Sequence, residues 1–293
     1  MRPRVLLAKV GRRWFRQFPT KKNERFVRDH FRKWCAWDEL ITGTTEGFLM
    51  FVSPRDYASF RIFFFGVYDP AMTSFIKAHV PEGAVCWDVG AERGWFSLLM
   101  GRLVGPSGRV DAFEAFPPTF AKLEANIALN EFTWVHPHSI AVSDRPGRMG
   151  FVPAEKLVVS VDYLQDASGY GYLTADANPE AIEVATITLD QHAEETGIDR
   201  LDFIKMDIEG AEVAALEGAR RTIRRFRPKI AIEYNRATCL RAGTSWEELD
   251  ALLDSYGYDR FTFFGRLRRV QLEEWSERPD HEAVFNAYCF PRN

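Results

Sequence analysis

Cysteine is scarce in this chain and never clustered. Cys35, Cys86, Cys239 and Cys289 stand far apart, so neither a zinc knuckle nor a dithiol redox motif is spelled. Long hydrophobic runs are missing too. The stretch RIFFFGVY (Arg61 to Tyr68) is far shorter than the roughly 20 residues a membrane-spanning helix needs. The first residues, MRPRVLLAKVGRRWFRQF, are basic but hold no continuous apolar core and no small-residue cleavage site, so they do not read as a secretory signal. A cytoplasmic protein is expected. Internal repeats and low-complexity tracts are absent as well. What is present is 46% hydrophobic and 27% charged over 293 residues, with 24 Phe and 8 Trp, enough for a sizeable core in one large domain with an appendage.

Charge is unevenly spread. Residues 1–33 carry twelve Lys and Arg against Glu24 and Asp29, a local charge of +10, which leaves −13 on the rest of a chain whose total is −3. Leu7, Val10, Trp14 and Phe18 fall at helical spacing between Pro3 and Pro19. A basic, helical arm over residues 1–40 is expected, either docked on its own body or peripheral on an anionic surface or membrane. Nucleic acid is the weakest of the three partners. The basic run GARRTIRRFRPK (Gly218 to Lys229) reads as a solvated helix end.

Beyond the arm, residues 41–80 read as a small appendage. GFLMFVSP and SFRIFFFG are expected as strands, followed by a helix that Asp69 caps and Pro70 opens. From residue 81 strands and helices alternate. AVCWDVG, GRVDAFEA, WVHPHSIAV, AIEVATITLD, LDFIKMDIEG and PKIAIEYN are strand-like. Helices are expected between them, one of them a single amphipathic helix over 211–226. RFTFFG and EAVFNAYCFP close the chain as strands. That alternation predicts an α/β fold with a mostly parallel sheet, whose ligands bind at the carboxyl ends of the strands.

One such end is VCWDVGAERGWFS (Val85 to Ser97). Gly90 and Gly94 let the backbone turn tightly and approach a ligand. Glu114 ends the next strand, where a carboxylate can accept both hydroxyls of a ribose. The glycine spacing is wrong for a pyrophosphate-binding G-x-G-x-x-G turn, and Asp88 would repel a pyrophosphate. Beside the ammonium of an amino-acid moiety a carboxylate is welcome. The motif favours S-adenosyl-L-methionine over a dinucleotide; a strand–turn–helix with no ligand remains open.

LDFIKMDIEGAEVAALEGA (Leu201 to Ala219) closely resembles the central signature of the FkbM-type methyltransferases. The resemblance also covers GFLMFVSPRDY, GVYDP, DVGAERGWFSL, VDAFEAFPPTFAKLEANIALN, IAVSD, ITLD and RPKIAIE, in order, over about Gly47 to Glu233. It implies a class I methyltransferase (Rossmann-like) fold over residues 81–293, mostly parallel with a C-terminal antiparallel strand and helices on both faces. It also implies S-adenosylmethionine-dependent O-methylation of a hydroxyl on a sugar, glycan or natural product. Carried over by position, Asp88, Gly90, Ala91 and Gly94 line the methionine part, Glu114 and Ala115 the ribose, and Ser139 and Ile140 the adenine. Asp207 faces the methyl-transfer region. The chain departs from the pattern at Glu92, where the family usually has Asn, at Asp69 for Glu, and at Ala115 for Pro.

A sugar hydroxyl is a poor nucleophile, so a base or a metal is expected to help. Asp207, Glu209 and Glu233 are the candidate catalytic acids, and Asp207 with Glu233 could bind Mg²⁺ or Mn²⁺. Glu212 reads instead as a first-turn helix charge. His136 and His138 share a strand face, without a visible third ligand. The stretch around 151–180, with Gly169, Tyr170, Gly171 and Tyr172, reads as a lid-like insertion over the acceptor. The alternatives are N- or carboxyl-methylation on the same fold, or a non-catalytic protein that has kept it.

Overall fold

The computed structural model describes residues 15–17, 39–53, 57–153, 171–174, 178–263, 266–276, 278–279 and 283–292. Most of the basic arm and most of the 151–180 insertion lie outside these residues. Within the arm, residues 15–17 are helical. Phe15 is buried against Phe64 and Phe65, and Arg16 Nη2 donates to the Gly43 carbonyl at 2.6 Å. At this point the arm is docked on its own body.

Strands β1 (Leu40–Gly43) and β2 (Leu49–Val52) form an antiparallel hairpin. Helices α1 (Tyr57–Phe65) and α2 (Pro70–His79) follow. The sequence reading made Ser59–Gly66 a strand, and the structure makes it a helix. The reason is burial on all sides. Phe60, Ile62, Phe63, Phe64 and Phe65 all face protein, and a continuous apolar run carries no periodicity by which helix and strand can be told apart. Asp69 caps α2 as expected, its Oδ1 accepting from the N–H groups of Ala71 and Met72.

The main sheet contains β3 (Val85–Val89), β4 (Arg109–Phe113), β5 (Val135–His138), β10 (Phe203–Met206), β11 (Lys229–Asn235), β12 (Tyr258–Phe263), β13 (Leu267–Arg269) and β14 (Val284–Pro291). Their spatial order is β13-β12-β14-β11-β10-β3-β4-β5. The run β11-β10-β3-β4-β5 is parallel, and β14 is antiparallel to both of its neighbours. This is the expected α/β architecture with a C-terminal antiparallel strand. The chain steps from β3 outward to β4 and β5, then returns to lay β10 on the other side of β3. The crevice between β3 and β10 is the topological switch point, where such sheets bind ligands.

Two expected elements are divided and a third changes sheet. The third strand breaks at Ser139–Ile140 into β5 and β6 (Ala141–Val142). The helix over 211–226 is two short helices, α6 (Glu212–Glu217) and α7 (Arg220–Phe226), separated at Gly218. A Cβ on Gly218 would lie 2.2 Å from the Ser143 carbonyl oxygen, so the backbones touch there and bend the helical path. The AIEVATITLD strand, β9 (Ile182–Ile187), leaves the main sheet. It joins β6, β7 (Gly147–Pro153) and β8 (Gly171–Thr174) in a second sheet of order β6-β9-β7-β8.

Alternation along β3 sends Cys86 to an apolar layer under α1, α2 and α3 (Trp95–Val104), and Trp87 and Val89 to the layer under α5 (Leu189–Thr196), α6, α7 and α9 (Trp246–Ser255). Helices therefore cover both faces. Ser245 and Glu248 form the capping box of α9.

Gly90 fixes the spacing of the switch point. It has φ +80°, and a Cβ there would lie 1.9 Å from the Asp207 carbonyl oxygen. Gly90→Ala is expected to destabilise the fold by about 2 kcal/mol or more, because strain and backbone overlap combine. Thermal unfolding of the variant checks this; an unchanged midpoint would mean the two loops can part without cost.

Candidate functional site

A cleft opens at this switch point. Its floor is the loop after β3 (Val89 to Glu92) and the loop after β10 (Asp207 to Glu209). Glu114 and Ala115 follow β4, and Ile140, Ala141 and Val142 follow β5. Trp95 and Phe96 open α3, and Ala58 and Ile62 come from α1. Phe151, Gly171 and Leu173 of the second sheet form one more wall.

Most of the expected residues meet here, though not all by their side chains. Gly90, Ala91, Glu114, Ala115, Ile140, Asp207 and Glu209 line the cleft. Asp88, Gly94, Ser139 and Glu233 do not. Asp88 is fully buried behind the turn, where Ser97 Oγ donates to its Oδ2 at 2.6 Å and Lys205 Nζ stands 3.4 Å from its Oδ1. Burial raises its pKa, while Lys205 and Ser97 draw it back down. The expected contact of Asp88 with a ligand is thus corrected to an indirect role. Strand alternation turned it beneath α3, toward the same face as its cross-strand neighbour Lys205. Gly94 is the N-cap of α3 at φ +89°, pressed close to Leu123. Ser139 marks the β5–β6 break, and only its neighbour Ile140 reaches the cleft.

Glu114 is held by two backbone donors. The Glu92 N–H reaches Oε2 at 2.9 Å and the Phe116 N–H reaches Oε1 at 2.8 Å. Burial pushes its carboxyl up to about 8 against those donors. Glu92 itself sits at φ +51°, in the left-handed region that Asn adopts more readily than Glu. The Asn usual at this position in the resembled family therefore has a backbone reason. Here Glu92 adopts that conformation and its N–H bonds to Glu114.

The acids after β10 form a second group. Glu212 braces their turn, its Oε1 accepting from the Ile208 N–H at 2.8 Å and its Oε2 from the Gly210 N–H at 2.9 Å. That agrees with its reading as a structural charge. Glu209 lies at φ +56°. Burial first, then Asp207 and Glu212, push its carboxyl up to about 8. Glu233 is set back from the cleft, accepting from Asn235 Nδ2 at 3.2 Å. Burial and the neighbouring Asp207, Glu209 and Glu212 raise its pKa well above the ordinary range.

The chain matches the model of the methyltransferase FkbM domain over residues 88–260. It belongs to the FkbM methyltransferase family. Among relatives, this FkbM-family chain is 26% identical over 206 residues to the methyltransferase sdnD of Sordaria araneosa, covering 62% of this chain and 76% of that one. It is 32% identical over 158 residues to the 31-O-demethyl-FK506 methyltransferase FkbM of Streptomyces tacrolimicus, 46% of this chain and 59% of that one. With the 2-O-methyltransferase NoeI of Sinorhizobium fredii it shares 27% over 198 residues, 62% and 76% of the two chains. A solved structure of the methyltransferase FkbM from Methylobacillus flagellatus aligns with TM-score 0.44 at 20% identity, over 71% of this chain and 44% of that chain.

Sequence reasoning passes over one charged residue of the cleft, Lys205. It lines the cleft, yet its side chain is almost wholly buried. The available signal is a lysine inside the otherwise apolar FIKM strand. It passes over a polar network too. His138 Nε2 lies 2.9 Å and His192 Nε2 3.4 Å from Asp111 Oδ1, and Arg109 donates to both Asp111 oxygens at 2.7 Å. These three are the one group of metal-ligating side chains that converges among the described residues. The bidentate guanidinium already neutralises the carboxylate, so the network reads as an ion-pair clasp. His138 thus gains neighbours, but from β4 and α5, and not from His136. Asp207 and Glu233 join no such group.

Burial would raise the Asp111 pKa, but hydrogen bonds from His138, His192 and Arg109 overcome it and hold the carboxyl far below its usual range. A depressed folded pKa contributes stability above the unfolded value near 3.9, and that stability fades as pH falls toward the folded value. Asp111→Asn is expected to cost about 3 kcal/mol at neutral pH. The deficit should shrink below about pH 4, as urea melts across pH would show. A pH-independent deficit would assign the loss to packing.

Proposed function

We propose that this FkbM-family protein is an S-adenosylmethionine-dependent O-methyltransferase acting on a hydroxyl of a sugar, glycan or natural product. The observation that carries the cofactor is charge. Four acidic side chains line the cleft, Glu92, Glu114, Asp207 and Glu209, and among its described lining residues the one cation is Lys205. S-adenosylmethionine bears two positive centres and one negative, which this lining complements. A dinucleotide pyrophosphate would meet repulsion. The fit extends to shape. Phe113, Ile140, Val142 and Phe151 offer an apolar slot beside Glu114 for a nucleoside base.

Bound there, S-adenosylmethionine supplies a methyl already activated on a sulfonium. The chain's own residues hold, orient and deprotonate. Glu114 accepts the ribose hydroxyls, kept in place by the Glu92 and Phe116 N–H groups. Asp207 accepts the proton of the attacking hydroxyl as its oxygen bonds to the methyl carbon and the carbon–sulfur bond breaks. Glu209, which burial among acids keeps protonated near neutrality, donates a hydrogen bond to a neighbouring acceptor oxygen. Glu233, set back from the cleft and hydrogen-bonded to Asn235, stands behind this pair and outside the proton transfer. Mg²⁺ or Mn²⁺ at Asp207 and Glu233 finds no third His, Cys, Asp or Glu side chain converging on it among the described residues. The O-specific reading draws on the relatives whose names state O-methylation. N- and carboxyl-methylation remain outcomes of acceptor screening, and a non-catalytic role is the outcome of failed turnover.

Calorimetry with S-adenosylhomocysteine, with NADH as the control, tests the cofactor. Binding to the intact protein, lost by about tenfold or more in Glu114→Gln, is expected. Preference for NADH would sink the reading. Because the ligand needs Glu114 ionised and the empty site holds its pKa near 8, affinity should rise from about pH 6 to pH 8, with proton release on binding. Asp207→Asn should then lower kcat by about 100-fold on the best hydroxyl acceptor while leaving S-adenosylhomocysteine affinity within a few-fold. Full turnover by that variant would remove Asp207 from the chemistry.

A further inference from the structure

The turn after β3 has used its own hydrogen-bond donors. The N–H groups of Gly90 and Ala91 both donate to the Phe113 carbonyl, at 3.0 and 2.9 Å. The Glu92 N–H donates to Glu114 and the Gly94 N–H to the Ala91 carbonyl. A ligand carboxylate entering this cleft therefore finds those four donors directed elsewhere. It also finds four acidic side chains on the walls, Glu92, Glu114, Asp207 and Glu209, none of which can attract an anion. Among the described residues that line the cleft, the cation is Lys205.

Lys205 is built into place. It lies in register with Asp88 across the β3–β10 pair. Its Nζ donates to the Gly90 carbonyl at 2.6 Å, stands 3.4 Å from Asp88 Oδ1, and lies 5.5 Å from the centre of the Phe96 ring. An ammonium has three donors, and of the two oxygens only the Gly90 carbonyl takes one in a hydrogen bond, Asp88 Oδ1 being an ion-pair neighbour. Phe96 belongs to the first turn of α3, a ten-residue helix whose first N–H groups have no acceptor within the helix. Trp95 and Phe96 both line the cleft beside Lys205.

We infer that Lys205 is the subsite for the α-carboxylate of the methionine moiety, held between Nζ and the first turn of α3. The assignment rests on the S-adenosylmethionine reading above. It gives Asp88 a defined part as a positioning residue, which keeps Lys205 charged and aimed while itself remaining out of contact with the ligand. It leaves the four acidic side chains of the walls to the ammonium, the ribose and the acceptor.

If Lys205 served only to neutralise Asp88, its loss would weaken every ligand of the cleft alike. Two ligands separate the cases: S-adenosylmethionine and its decarboxylated form, which keeps the nucleoside, sulfonium and ammonium and lacks only the carboxylate. Calorimetric titration of the full chain with each is the experiment. Lys205→Met is expected to weaken S-adenosylmethionine by about tenfold or more and to leave the decarboxylated ligand within about threefold. Should Lys205→Met fail to fold with Asp88 left buried and unpaired, Asp88→Asn/Lys205→Met, compared with Asp88→Asn alone, removes both charges and should give the same split. Equal losses on both ligands, or no loss on S-adenosylmethionine, would overturn the assignment while leaving the cofactor reading in place. If the unaltered protein binds neither ligand, the cofactor reading falls, and the carboxylate subsite falls with it.

Discussion

The contact between the backbone at Gly90 and the carbonyl of Asp207 holds the two halves of the site at a fixed distance. The loop after β3 and the loop after β10 approach so closely that no side chain fits between them. Everything else at the switch point is arranged around that approach. Lys205 reaches under it to the Gly90 carbonyl, and Glu212 stiffens its far side by taking the Ile208 and Gly210 N–H groups. Asp207 is therefore presented to the cleft from a turn whose backbone is fixed on both flanks.

Buried charge is the second theme. Asp88 and Lys205 form one partly desolvated pair, Asp111 and Arg109 with two histidines another, and the Asp207–Glu209–Glu212–Glu233 group is a set of like charges. The first two are matched in sign, and their cost in lost hydration is offset by hydrogen bonds. The third is mismatched, and burial together with that mismatch raises the pKa of Glu209 and Glu233. Groups whose environments push their proton affinities apart are suited to divide the roles of proton acceptor and hydrogen-bond donor. A cationic ligand entering such a site relieves repulsion instead of adding to it.

Much of this architecture was legible in advance. The alternation of strand-like and helix-like segments from residue 81 onward marked a parallel sheet, and the small-residue turn after VCWDV marked its binding edge. Glu114, Asp207 and Glu209 were named from strand ends and do reach the cleft. The misreadings have physical reasons. Residues 59–66 are apolar without a period, so burial and not pattern made them helical. WVHPHSIAV looks continuous, yet Ser139 and Ile140 carry the chain from one sheet to another. AIEVATITLD is a sound strand whose partners, β6 and β7, only tertiary pairing could reveal.

The sequence by itself determined which residue types stand at the ends of which strands, and with them the family and the chemistry it draws on. Only the tertiary structure decided which of those side chains face the cleft. A strand places successive residues on opposite faces, and which face is open depends on the helix packed above it. Under α3 that rule turned Asp88 inward, paired it with Lys205 and left the lysine at the wall. Strand ends can be counted along a chain. The partner that lies across a sheet, 117 residues away in the case of Asp88 and Lys205, cannot.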